Sequence, residues 1–247
     1  MSLTYLPLLS QQRNLYRLPP SPERFQAYLR LLIDTYSQDI SLPLGAMNPM
    51  AKEHVPAFLD KLIELDADAI AATATTTVQG LAQIGDYQVT LVVSDDLKGG
   101  WTNRYTSDFN YRFRQQAYYQ RGWIPVILWV SEEYSSDRIG AEVQMAIFRT
   151  AYVHQHGSGK SLRDLLAQEA HGMAQARITQ PQLDKDDLDY TRMVLADRQD
   201  STDMPTLIAA LYGDRAAHQL GYPCLGLSPN AGLALAVAQA QTIAAST

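Results

Sequence analysis

Residues 89–104 read VTLVVSDDLKGGWTNR, a continuous apolar and β-branched run, Val89 to Val93, that breaks into a loop dense with acid, base, amide and glycine. The run shows no polar alternation, which is the pattern of a strand covered on both faces by helices, and such strands are usually parallel. Outward from it, short apolar runs and helical periodicities alternate along the chain. Ile124 to Val130 is the next clear strand, and Leu42 to Met47, Ala69 to Ala74 and Tyr222 to Leu227 are further candidates. At Ala69–Ala74 a small-residue helix running on to Ile84 competes with the strand, because Ile70, Ala74, Val78 and Leu81 also fit helical spacing.

Helix starts are marked by local chemistry. Ser21 followed by Pro22 is a capping hydroxyl with proline at the first helical position, and Phe25, Leu29, Leu32, Ile33 and Tyr36 then recur on one face. Pro56 belongs in the first turn of the next helix. Ser135 or Ser136 opens a long helix, Ser161 with Asp164 forms a capping box, and Ser201 or Thr202 caps a helix with Pro205 in its first turn. Together these predict an α/β fold: an open, mainly parallel sheet of about five or six strands flanked by helices, with a helical segment inserted before the last strand. A (β/α)8 barrel needs more strands than the sequence offers. The chain is expected to form a single domain over 1–247, with an N-terminal arm 1–20 and a mostly helical segment 135–220.

With 247 residues, 46% hydrophobic and 19% charged, the chain is long and apolar enough to bury about three quarters of its unfolded surface. A formal net charge of -6 argues against a nucleic-acid binder. No apolar run approaches the ~18 residues of a membrane span, and no signal-peptide pattern opens the chain. One cysteine, Cys224, excludes an internal disulfide and fits a reducing, cytoplasmic setting; its apolar neighbours predict that it is buried. The apolar arm and the interleaving of Arg112, Arg114 and Arg121 with Tyr111, Tyr118 and Tyr119 predict a homo-oligomer, since both exceed what one core requires.

In open α/β sheets ligands bind beyond the carboxyl ends of the strands. On the predicted elements those positions carry Asn48, Thr75, the loop 94–104, Glu132, and Ser228 with Asn230. The loop 94–104 is the richest. Asp95 and Asp96 are candidate acid–base groups, and adjacent residues of an extended chain point to opposite faces, so one of them is expected to face a given pocket. Lys98, Gly99, Gly100, Trp101, Asn103 and Arg104 are candidate ligand-binding residues: the glycines permit close backbone approach, and Arg104 offers a bidentate fork for a carboxylate or phosphate. His54, in the loop before the Pro56 helix, is a second acid–base candidate. The competing structural assignment makes Gly99–Gly100 a turn, Thr106 or Ser107 a helix cap, and Arg104 part of an ion pair.

HQHGSGK at 154–160 lacks the first glycine of a phosphate loop and follows a helix instead of a strand. His154, His156 and His171 match no metal-ligand spacing, so no metal is assigned. There is no G-x-S-x-G and no G-x-G-x-x-G, so neither covalent hydrolysis nor a nicotinamide cofactor is indicated, and the cofactor stays unassigned. The expected function is that of an enzyme acting on a small anionic metabolite at 94–104. A non-catalytic binding protein or an oligomeric scaffold is the alternative.

Overall fold

The structure is a computed structural model and describes residues 2–80, 82, 84–97 and 103–245. In chain order the elements are β1 (Leu3–Tyr5), α1 (Leu9–Leu15), α2 (Pro22–Leu32), α3 (His54–Glu64), α4 (Ala67–Val78), β2 (Tyr87–Ser94), α5 (Arg104–Phe113) and α6 (Gln116–Tyr119). They continue with β3 (Trp123–Trp129), α7 (Ser136–His156), α8 (Leu162–Gln175), α9 (Lys185–Ala196), α10 (Met204–Tyr212), α11 (Asp214–Gln219) and α12 (Ala231–Ala245). Two compact units result, Met1–Ser107 with Gln115–Ile147, and Asp108–Arg114 with Phe148–Thr247. No helix among the described residues is long and apolar enough to cross a membrane.

The first unit carries a three-stranded, wholly parallel sheet in the order β1-β2-β3. Parallel pairing is as expected, but the sheet has three strands among the described residues, not five or six. β2 lies between its neighbours in a register that sets Val89 beside Ile124 and Ser94 beside Trp129. β3 is an edge in hydrogen bonding among the described residues, although Ile124, Val126, Leu128 and Trp129 are all buried. β1 comes from the arm 1–20, and α1 follows it, so Leu3, Leu8, Leu9 and Leu15 join this unit's core.

Beyond β1 the free edge of β2 is taken by a side chain. The Gln12 amide donates to Leu91 O (2.8 Å) and accepts from Val93 N–H (2.9 Å), continuing the ladder that Leu6 N–H makes with Val89 O (2.9 Å). A fully buried glutamine on α1 thus does what a fourth strand does in a wider sheet: it satisfies backbone groups that water cannot reach.

Each missing strand has a local cause. Leu42–Met47 contains Pro43 and folds into tight turns, with Leu44 N–H donating to Leu42 O (2.8 Å) and Met47 N–H to Leu44 O (3.0 Å). Leu44, Ala46 and Met47 are buried by packing, not by strand pairing. Ala69–Ala74 lies inside α4, where alanine costs least as a helix residue. Tyr222–Leu227 belongs to the second unit, which has no strand among its described residues. It is interrupted by Pro223 and Gly226 and tied to the Asp214 carboxylate, which accepts from Leu225 N–H (2.8 Å) and Gly226 N–H (2.9 Å). Cys224 on this loop is exposed, contrary to its expected burial.

The capping signals hold. Ser21 accepts from Arg24 N–H at the start of α2, and Ser161 and Asp164 form the reciprocal box that opens α8. At α10 the cap is Asp203, one residue beyond the expected Ser201 or Thr202. The second unit is helical, with α8 and α12 packed together. Gly232 lets α12 approach α10 closely, since a Cβ there would stand 2.5 Å from Ala210 O.

Candidate functional site

At its carboxyl end β2 delivers two adjacent acids to different partners. Asp95 is 1% exposed. One of its oxygens, Oδ1, lies 2.9 Å from His54 Nε2, and the other accepts from Asn48 Nδ2 at 2.9 Å. Leu97 N–H also donates to Oδ1, at 3.3 Å. An ionised carboxylate only accepts, so Nε2 donates in this pair and Nδ1 is the ring nitrogen not bonded to Asp95. The His54 side chain is 30% exposed, and Nδ1 has no hydrogen-bond partner among the described residues.

The loop 48–54 holds this arrangement. Asn48 Oδ1 accepts from Met50 N–H (3.1 Å) in a local turn, and the Tyr16 hydroxyl donates to Asn48 O (2.6 Å). Burial first, and Asp95 next, push the Tyr16 phenol well above its ordinary range, so it stays a donor. Tyr28 donates to Leu44 O (3.2 Å), and burial pushes its phenol up to about 12. Arg24 donates to Leu18 O, Pro49 O and Ala51 O and lies under the Tyr16 ring, 5.3 Å from its centroid.

Asp96 faces the other way. Its carboxylate accepts from Ser131 N–H (3.0 Å), from the Ser131 hydroxyl (2.6 Å) and from Arg104 Nη1 (3.0 Å). Arg104 also pairs with Glu132, stacks 4.1 Å over the Trp129 ring, and shares Glu132 with Arg138. The guanidinium therefore spans the loops that follow β2 and β3 and joins Asp96 to Glu132. This is the ion-pair assignment for Arg104. Asn103 Oδ1 accepts from Tyr105 N–H (2.9 Å) and Thr106 N–H (3.2 Å), so it, and not Thr106 or Ser107, closes the start of α5.

The remaining expected residues are bonded elsewhere or fall outside the described residues. Lys98, Gly99, Gly100 and Trp101 fall outside them. Thr75 is buried in α4 with its hydroxyl donating to Ala71 O (2.8 Å). Ser228 and Asn230 belong to the second unit, where the Ser228 hydroxyl donates to Asp187 (2.8 Å) and Asn230 adopts φ 59°. Two strand hydroxyls drew no notice in the sequence: Thr90 Oγ1 and Ser94 Oγ are buried without a hydrogen-bond partner among the described residues.

The second unit holds a buried charge network that the sequence concealed. Arg149 grips Glu169 with two bonds, 2.7 and 3.0 Å, and Arg112 reaches the same carboxylate at 2.8 Å. Arg112 also binds Asp108 (2.5 Å), which accepts from the Tyr212 hydroxyl (2.8 Å). Burial alone would raise Glu169; the charges of Arg149 and Arg112 overcome it and hold the carboxyl below its ordinary value. Arg112 was expected on a subunit contact and is used inside the chain, as is Arg121 in its pair with Asp39. No cluster of three metal-ligating side chains occurs among the described residues.

The molecule thus combines a mixed α/β fold with buried hydrogen-bonded charged groups at the end of its central strand. Compared with known proteins, the chain matches no family model, no curated protein and no solved structure.

Proposed function

We propose that this protein is an enzyme that transfers a proton to or from a small anionic metabolite, with His54 as the acid–base group and Asp95 as the carboxylate that orients it. The observation that carries this reading is the 2.9 Å contact between His54 Nε2 and a carboxylate oxygen of Asp95, itself buried and held by Asn48. A carboxylate on one imidazole nitrogen selects the tautomer and stabilises the imidazolium that forms when the other nitrogen takes a proton. Asn48 fixes Asp95, so the imidazole does not have to be reoriented during reaction. A cytoplasmic setting belongs to the same reading, since the exposed Cys224 thiol stays free in a reducing compartment.

The test is proton exchange. A panel of small carboxylates and phosphate esters is incubated with the protein in D2O and followed by NMR for loss of C–H signals or conversion. Exchange or turnover of at least one compound is expected, falling about 10²–10⁴-fold in His54→Gln, the scale of general acid–base catalysis. Activity that survives His54→Gln, or ligand binding with neither exchange nor turnover, rejects the reading, and the second outcome identifies a binding protein.

A further inference from the structure

Arg24, on α2, is 5% exposed, yet among the described residues it pairs with no carboxylate. Its Nε donates to Leu18 O at 2.7 Å, and Nη1 donates to Ala51 O at 3.2 Å and Pro49 O at 3.4 Å. That leaves Nη2, with two N–H donors, without an acceptor among the described residues. Burial draws the guanidinium below its ordinary value, but arginine stays charged at neutral pH. Arg104, Arg112, Arg121, Arg138 and Arg149 each meet at least one carboxylate, and Arg114, which like Arg24 bonds main-chain carbonyls, is exposed to solvent. A buried cation that meets carbonyl dipoles and the Tyr16 ring but no counter-charge is an incomplete electrostatic arrangement, and a bound anion completes it.

The position of Arg24 is as informative as its charge. The carbonyls it holds, Pro49 and Ala51, belong to the loop whose Asn48 holds Asp95 and whose end carries His54. Tyr16 joins the two ends of this arrangement, with its ring against Arg24 and its hydroxyl on Asn48 O. We infer that the Nη2 edge of Arg24 is an anion site, which takes a carboxylate or phosphate oxygen of the small molecule on which His54 acts. Only the identity of that molecule as a substrate rests on the acid–base reading of His54; the anion site itself does not. The two N–H donors of Nη2 can each donate to a carboxylate or phosphate oxygen. This is the role that the sequence assigned to Arg104, whose fork is engaged by Asp96 and Glu132.

Inorganic phosphate and acetate serve as probes on the full chain, with binding read by calorimetry and by the guanidinium N–H signals of Arg24 in ¹H–¹⁵N spectra. Saturable binding that moves the Arg24 signals is expected, weakened about tenfold or more in Arg24→Gln, the scale of losing a hydrogen bond to a charged group. Arg24→Lys keeps the charge and loses the fork, and is expected to bind with intermediate strength; it serves if the glutamine variant does not fold. His54→Gln is expected to retain the response at Arg24. Unmoved Arg24 signals in the wild type, or binding unchanged in both Arg24 variants, overturn the inference. Phosphate binding at Arg24 with turnover indifferent to His54→Gln would instead uphold the anion site and reject the acid–base function.

Discussion

Arg149 and Arg24 are buried to almost the same degree, 7% and 5% exposed, and meet opposite surroundings. Arg149, in the helical unit, lies against a carboxylate that takes two of its bonds and is shared with Arg112. Arg24, in the sheet unit, meets three main-chain carbonyls. Removing two charges from water is recovered only when geometry and hydrogen bonds are complete, and at Glu169 they are. A network closed on itself organises a core. A guanidinium that the fold buries without a counter-charge, bonded to the loop that carries Asn48 and His54, keeps capacity for a ligand.

The largest expected effect falls on Glu169. Glu169→Gln should cost about 3–5 kcal/mol in urea unfolding, because Arg149 and Arg112 would be left buried without their shared carboxylate. A loss below roughly 1 kcal/mol would mean that the pairing does not organise this unit. The same residue sets a pH dependence. Its folded pKa is depressed below the ordinary value of 4.5, so the stability it contributes is present above that value and is lost as pH falls through the folded pKa. Acid unfolding below about pH 4.5 should therefore be less steep in Glu169→Gln than in the wild type.

Gln12 is the neutral counterpart of Arg24, fully buried and also bonded to main chain. Gln12→Leu should cost about 1–3 kcal/mol by leaving Leu91 O and Val93 N–H without partners. Arg24→Met should cost less, about 1–2 kcal/mol, because the lost carbonyl bonds are offset by relief of a buried, unpaired charge. A cost equal to that of Glu169→Gln would place Arg24 among the purely structural arginines. Asp203→Ala provides the lower reference: losing its bond to Thr206 N–H should cost about 1 kcal/mol in thermal unfolding and leave phosphate binding unchanged.

Much of the helical unit was legible because caps are local. Ser161 and Asp164 stand three residues apart and bond to each other's backbone whatever surrounds them. Ser21 with Pro22 opens α2 for the same reason. The strand β2 was also readable, since an unbroken run from Val89 to Val93 has nowhere to go but a position covered on both faces. Leu42–Met47 and Tyr222–Leu227 misled because short apolar runs bury equally well in turns, and pairing depends on a neighbouring strand far along the chain. At 69–74 the helical alternative was visible, and alanine's propensity prevailed over the expectation of a strand.

Sequence pattern alone pointed to a buried parallel strand ending in Asp95 and Asp96, with Asn48 and His54 ahead of the Pro56 helix. Alternation along an extended chain also required the two acids to part, as they do. The partner each acid receives was set by long-range packing, because His54 and Asn48 are separated from Asp95 by 41 and 47 positions and meet it only once the loop 48–54 is seated. Such packing also decided between the arginines. Arg104 follows a glycine pair and was open to a ligand or an ion pair, and the loop after β3 brings Glu132 to it; Arg24 lies on a helix, and the fold covers it with carbonyl oxygens. Burial and counter-charge are properties of what surrounds a side chain, and those surroundings come from residues far away in sequence.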